Sequence, residues 1–388
     1  MELNLKTIFL TLVLSSFVEG LFAFVTPFYL TSQGISFFNI GIIFSIAALA
    51  MVLLRVLLGA YTDIRGRKVV FASSFLLQAM SSTLFPFVHS ILDAAPAKIL
   101  YDLGSSVRVS LKSTIIFENA RETYYRIIAW VDGVEHLMMA LVNFCAAAIL
   151  SFFAFSGSYI LMAVFQLLAF VIILFVYKEK SKIQKSSKIS FKDMYDLHLK
   201  RNMWVLMFAT TLSSTGVTLS HGFAEPLFWE AKYALSKPQI GLIIGLHRLS
   251  LALPLFVTGM IMQRLSVRKA YIFATLALAV SLIAMGLVSN IYIAVPIWLL
   301  HDVFGGSLQV PASQILTQLN ARDDSRGKDT NTMQMFSGLF SIVAPSLTGS
   351  LITIKWDLIF IVGGFLTFAA SMIIYLFYEE WALQSQPG

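Results

Sequence analysis

A bilayer core about 30 Å thick takes roughly 20 apolar residues of helix to cross. Runs of that kind recur along the whole chain, near 8–30, 37–59, 69–88, 91–117, 127–153, 158–177, 203–228, 239–261, 270–288, 291–317, 330–353 and 357–377. They predict twelve membrane-spanning helices and an all-α integral membrane protein. The fourth run is the least apolar and would fall below a strict hydropathy threshold. It is retained because without it the charge topology given below breaks.

Composition supports the same class. Hydrophobic residues make up 57% of 388 positions and charged residues 13%, about half the charged share of a soluble domain. The 33 phenylalanines suit helices that face lipid as well as one another. The one cysteine, Cys145, can build neither a disulfide nor a thiolate metal site. At the N-terminus, Lys6 is followed by a long apolar stretch without a small-residue cleavage site, so the first helix is expected to stay as an anchor.

The net charge of +7 is a topology signal and not a nucleic-acid footprint. With the N-terminus on the cytoplasmic side, the inner segments hold twenty Lys and Arg residues and the outer loops three, Lys232, Lys237 and Lys355. That asymmetry places both termini in the cytoplasm and the chain in the cell membrane. The segment 178–202 is the only long polar stretch between spans and carries six lysines from Lys178 to Lys192. It reads as a basic linker touching anionic headgroups, between a six-helix bundle at 1–177 and a second at 203–388.

The two halves repeat. Asn39-Ile40-Gly41 matches Gln239-Ile240-Gly241, Gly59 matches Gly259, Arg67-Lys68 matches Arg268-Lys269, and Asp102 matches Asp302. Asn119-Ala120-Arg121 matches Asn320-Ala321-Arg322, and Arg126 matches Arg326. All of these lie 200 or 201 residues apart, in order. Parallel halves related by an axis along the membrane normal put a binding site between them near the midplane.

One loop carries a specific motif. Between the second and third spans the chain reads Gly59, then Asp63, Arg65, Gly66, Arg67 and Lys68. Gly59 permits close helix approach and Gly66 a sharp turn, while Asp63 at a helix end can meet an Arg or a helix N-terminus. This loop resembles the signature of the major facilitator superfamily. The resemblance implies two pseudo-symmetric six-helix bundles, transport by alternating access, and a cytoplasmic gate centred on Asp63 with Arg121 and Arg126 as partners. Helices one, four, seven and ten would line a central cavity. The second half keeps a degenerate copy, with Gln263 and Ser266 where Asp and Gly would stand. The fourth span departs from the family's pattern, with Lys98 in the Arg position and Asp102 in that of the first Gly. The fifth lacks the Gly-Pro signature of the antiporters.

Ionised groups in lipid are costly unless paired or hydrated, so buried charge marks the candidate substrate or proton pathway: Glu19, Lys98, Asp102, Arg108, Lys112, Glu135, His221, Arg248 and Asp302. Lys98, Asp102, Ser105, Arg108 and Lys112 fall within roughly 120° of one another on a helical wheel. Depth matching pairs Lys112 or Arg108 with Glu135 and allows Arg248 to meet Asp302; Glu19 has only Arg108 or Arg55 in its own half. These groups are either structural ion pairs or a proton and substrate path. The intramembrane cations tilt the substrate toward an anion.

His136, His221, His247 and His301 lie in spans, but no two show metal-ligand spacing on one helix, so no metal site is expected. Phosphate-cradling and nucleophile motifs are absent as well. No cofactor is expected, and pumping would draw on an ion gradient. The predicted protein is a monomeric, non-enzymatic secondary transporter, a symporter or antiporter of a small solute with protons as coupling ion. A non-transporting sensor on the same fold would need an output surface that the short cytoplasmic loops hardly offer, and the two-fold repeat speaks against an intramembrane enzyme.

Overall fold

The computed structural model describes residues 3–65, 67–120, 124–179, 198–262, 266–322 and 326–379. The elements are α1 (Leu3–Ser32), α2 (Phe37–Arg65), α3 (Arg67–Leu84), α4 (Ile91–Asn119), α5 (Tyr124–Val176), α6 (Arg201–Ser220) and α7 (Ala224–Tyr233). They continue with α8 (Lys237–Met262), α9 (Val267–Leu287), α10 (Ile291–His301), α11 (Ser307–Asn320), α12 (Arg326–Ile354) and α13 (Asp357–Phe377). No β-strand occurs among the described residues.

Among the described residues, ten stretches are long and apolar enough to cross a membrane, and one of them, Trp130–Val176, has 47 residues, enough for two spans. The charged α4 is not among the ten, the omission its sequence foretells. Taking the long stretch as two and adding α4 accounts for twelve spans. Large apolar side chains such as Leu53, Phe152, Phe175, Val280 and Phe365 stay exposed. Contiguous apolar surface of this extent belongs against lipid.

Local chemistry sets several boundaries. The Ser90 side chain accepts the Asp93 N–H to cap α4, and the Asn290 side chain accepts the Tyr292 N–H at 2.9 Å to cap α10. Three spans differ from continuous helices. α5 breaks at Ala154, which takes φ 53° and ψ −172°. The seventh span divides into α6 and α7 around Gly222 at φ +59°, where a residue without Cβ lets the chain turn. The tenth is interrupted by a π-helical turn, Asp302–Gly306, a local widening often found at functional sites.

The helices pack into two compact units, one of 1–188 with Phe223–Ala252 and the other of 189–222 with Leu253 onward. The end of the seventh span and the start of the eighth thus pack with the first six. In the first unit α1 lies along α5, α3 along α4 and α5, and α2 along α4. α8 approaches α5 closely: a Cβ at Gly241 would sit 2.6 Å from the Asn143 carbonyl oxygen. Its apolar core joins Leu12, Phe71, Phe75, Ile115 and Ile173.

The second unit stacks α6 and α9 against α13 and α12 against α6, over a core that includes Met203, Leu206, Tyr271, Leu316 and Ile374.

The sequence repeat reappears as a hydrogen-bond motif inside each unit. Asn4 donates to the Asn119 side chain at 3.1 Å and to the Lys178 carbonyl at 2.9 Å, and accepts the Lys178 N–H at 3.1 Å. In the second unit Asn202 donates to Asn320 at 3.1 Å and to the Glu379 carbonyl at 2.8 Å, and accepts the Glu379 N–H at 3.1 Å. Asn119 and Asn320 in turn reach the hydroxyls of Tyr177 and Tyr378. Each motif ties the start of one span to the ends of two others and satisfies helix-end groups that have no partner within their own helix.

Candidate functional site

The polar face expected on the fourth span is present on α4, and its charges are paired. Lys98 and Asp102 form an i,i+4 pair at 2.5 Å, with the ammonium 4.2 Å from the Phe44 ring centre. Arg108 pairs with Glu19 of α1, whose carboxylate also accepts the Ser105 hydroxyl at 3.0 Å. Arg108 donates a second time to the Gln78 side-chain oxygen of α3. Gln166 of α5 donates to that same oxygen at 2.8 Å and to Ser15 of α1 at 3.2 Å. Lys112 reaches Asp132 at 2.7 Å and Glu135 at 2.5 Å, both on α5.

One polar network therefore joins α1, α3, α4 and α5 through the middle of the first unit. Close helix approach makes it possible. A Cβ at Gly104 would lie 2.4 Å from the Ser74 carbonyl oxygen and 2.7 Å from Gln78 Cγ, so α3 can present Gln78 to Arg108 only because residue 104 is glycine. Gly104→Ala should push α3 and α4 apart, costing about 1–3 kcal/mol. A lowered melting temperature in detergent is the readout, and an unchanged one contradicts the contact.

The two elements of the network differ in access to water. The Arg108 side chain is 3% exposed, whereas that of Glu19 is 23% exposed. Guanidinium cannot shed its proton in a protein, so the carboxylate is the member able to change state.

The remaining pathway residues form smaller groups. In the first unit Glu225, buried on α7, has an oxygen 2.8 Å from His247 Nδ1 and another 3.9 Å from Arg248 Nη2. In the second unit the His221 and His301 Nε2 atoms lie 3.3 Å apart, and Asp302 Oδ1 lies 3.5 Å from His301 Nε2.

Of the gating residues, Gly66 and Arg121 lie outside the described residues, as do the side-chain surroundings of Gly59, Asp63, Arg65 and Arg126. Arg67 and Lys68 open α3, where the Lys68 N–H donates to the Glu179 carboxylate at 2.7 Å. An anion at a helix N-terminus is favourable with the helix dipole.

Of the pairings that the sequence left open, Lys112 lies beside Glu135 and Arg108 beside Glu19. Depth matching missed Gln78, Gln166, Asp132 and Glu225. Glu225 carried a readable signal, since an ionisable residue inside a span is a site candidate on its own. The two glutamines stand as single polar residues in apolar runs, and nothing local shows that they face each other.

Residues 8–223 and 203–386 match the family model described as Major Facilitator Superfamily. Among solved structures, the chain is similar to a D323A mutant of the nucleoside transporter NupG, with TM-score 0.80 and 12% identity over 97% of this chain and 100% of that one. It is similar to a POT family transporter in complex with a thioalcohol-conjugated peptide, with TM-score 0.77 and 14% identity over 96% and 95%. A bacterial homologue of the iron transporter ferroportin in its inward-facing state matches with TM-score 0.74 and 18% identity over 98% and 99%. No curated protein sequence matches the chain. Identities this low carry the fold alone, but the family model matches two segments that together run from residue 8 to 386, and with the twelve spans it makes this protein a multi-pass membrane transporter that belongs to the Major Facilitator Superfamily.

Proposed function

We propose that the chain is a proton-coupled secondary transporter that moves a small polar solute by alternating access. It would act as a monomer in the cell membrane, with both termini cytoplasmic. The observation that carries the reading is the Glu19–Arg108 pair and its unequal exposure. Protonating Glu19 cancels its attraction for Arg108, which keeps a neutral acceptor in Gln78. Proton binding on the partly open carboxylate therefore weakens the tie between α1 and α4, a change that a coupled cycle requires.

The sign of the site speaks against the anionic substrate suggested by the cation count. The described intramembrane cations Lys98, Arg108, Lys112 and Arg248 each lie within 4 Å of a carboxylate, and the carboxylates involved are Asp102, Glu19, Asp132, Glu135 and Glu225. No surplus of positive charge is left among them, which favours a neutral or cationic solute. The similar structures include a nucleoside transporter and a bacterial homologue of an iron transporter, so the fold does not choose between the two.

Reconstituted into liposomes, the protein should accumulate solute faster when a pH gradient is imposed. Glu19→Gln should abolish that acceleration while leaving solute exchange at equal pH, because an amide oxygen can still accept from Arg108 and Ser105. Uptake indifferent to the gradient, or a gradient response that survives in Glu19→Gln, would remove proton coupling through this pair.

A further inference from the structure

Two histidines of the second unit are arranged in a way the proton network does not use. His221 follows the last turn of α6, and its Nδ1 lies 2.9 Å from the Val217 carbonyl oxygen. His301 ends α10, and its Nδ1 is hydrogen-bonded to the Trp298 carbonyl oxygen. A carbonyl only accepts, so each Nδ1 carries the ring proton. In a neutral imidazole the other nitrogen then presents a lone pair. The Ser220 hydroxyl fits this assignment: it donates to Val217 at 3.0 Å and is left to accept from His221 Nδ1 at 2.9 Å.

The two lone-pair nitrogens point at each other across 3.3 Å. Two acceptors held so close are favourable only around a shared cation. Trp298 fixes both rings, with centroids 4.8 Å from His221 and 4.4 Å from His301, and is itself held edge-on by Phe360 at 5.8 Å. His301 is 1% exposed and Asp302 5% exposed, so the carboxylate beside the pair lies in the same dry region, at the start of the π-helical turn.

A tetrahedral ion with nitrogen ligands at about 2.0–2.1 Å separates two of them by about 3.3–3.4 Å. The observed spacing is of that size. Metal-bound histidines also donate their second ring N–H to a carbonyl or carboxylate, which fixes tautomer and ring orientation; both rings here do so. We infer that His221 and His301 bind a divalent transition-metal ion through their Nε2 atoms, with Asp302 as the neighbouring anionic group. Neutral imidazole donors select Zn2+, Cu2+, Ni2+ or Fe2+ over Mg2+ and Ca2+. The expectation of no metal, based on spacing within single helices, could not detect a pair contributed by two spans some 80 residues apart in sequence. That the ion is cargo rests on the transport reading above; that it binds does not.

Purified, full-length protein free of any histidine tag is titrated with Zn2+ by calorimetry and with Co2+ by visible absorption. The expected result is one ion per chain, the intense d–d bands of tetrahedral Co2+, and their loss when Zn2+ is added. Affinity should fall at acid pH, because a ligating imidazole must be deprotonated. His221→Gln and His301→Gln should each weaken binding about a hundredfold or more, with unchanged melting of the metal-free protein, and Glu19→Gln should leave binding intact. No saturable binding, or binding in the two histidine variants as tight as in the unsubstituted protein, overturns the site and assigns the shared cation to a proton. The Co2+ spectrum of the unsubstituted protein decides the matter even if a variant fails to fold, since bands no different from those of aqueous Co2+ overturn the imidazole pair.

Liposome flux separates the two claims. Zn2+ that binds but never crosses overturns the cargo claim alone. Transport of another solute by protein that binds no metal overturns the site and leaves the transporter reading standing.

Discussion

Glu19→Ala should be among the most destabilising single substitutions in the first unit. It removes the acidic side chain paired with Arg108, a residue 3% exposed that donates to Glu19 and to Gln78. Breaking a buried pair from one side costs about 3–5 kcal/mol, because an uncompensated charge remains. Which partner is removed matters. A stranded carboxylate can take up a proton and become neutral, whereas a stranded guanidinium cannot. Arg108→Leu should therefore cost less than Glu19→Ala.

The double variant Glu19→Ala/Arg108→Leu should recover most of the loss, since exchanging both partners of a buried pair for apolar groups is often neutral. Melting curves in detergent for the three variants test this. Equal melting of Glu19→Ala and the unsubstituted protein would mean that the pair is not closed in solution.

The same residues show what a sequence can and cannot disclose. Number and order of the spans follow from apolar run length, because that is a property of single segments meeting one solvent. The repeat was visible at Asn119 and Asn320, and the structure gives those residues the same job: each accepts from an asparagine at the start of a bundle and donates to a tyrosine at its end. Pairing along one hairpin, as for Lys112 with Glu135, could be found by counting residues from the turn. Pairing that depends on helix rotation could not. Gln78 and Gln166 meet across α3 and α5 only after three helices have packed, and the π-helical turn after His301 alters the direction of every later side chain on that span. Equivalent positions also diverge in chemistry. Lys98 and Asp102 form an ion pair, while their counterparts 200 residues on are Trp298 and Asp302, grouped with histidines.

In the second unit the largest expected effect comes from the contact between α6 and α13. Without a hydrophobic drive between helices in lipid, association depends on how closely backbones can pack, and small residues set that limit. Gly216 and Gly363 face each other so closely that a Cβ on Gly216 would lie 2.4 Å from the Gly363 carbonyl oxygen, and one on Gly363 would lie 2.5 Å from the Gly216 carbonyl oxygen. The seam continues on the same helix at Gly364, where a Cβ would sit 2.9 Å from the Ala279 carbonyl oxygen of α9. α13 is therefore held against α6 and α9 at once, and no side-chain rotation relieves a clash with backbone.

Gly216→Val should force α6 away from α13 and cost about 3 kcal/mol, the upper end for overpacking, because the obstacle is a carbonyl and not the end of a flexible side chain. Gly363→Val should do the same. Since the first substitution already opens the gap that the second needs, the double variant should be destabilised by clearly less than the sum, as expected for residues in direct contact. Gly34→Ala is the control: nothing lies within 4 Å of its Cβ position, and its φ of +75° leaves only backbone strain, about 1 kcal/mol. Melting temperatures of the four variants give the comparison. Strict additivity of the two valines, or a loss at Gly34 equal to that at Gly216, would show that α6 and α13 do not meet through these glycines.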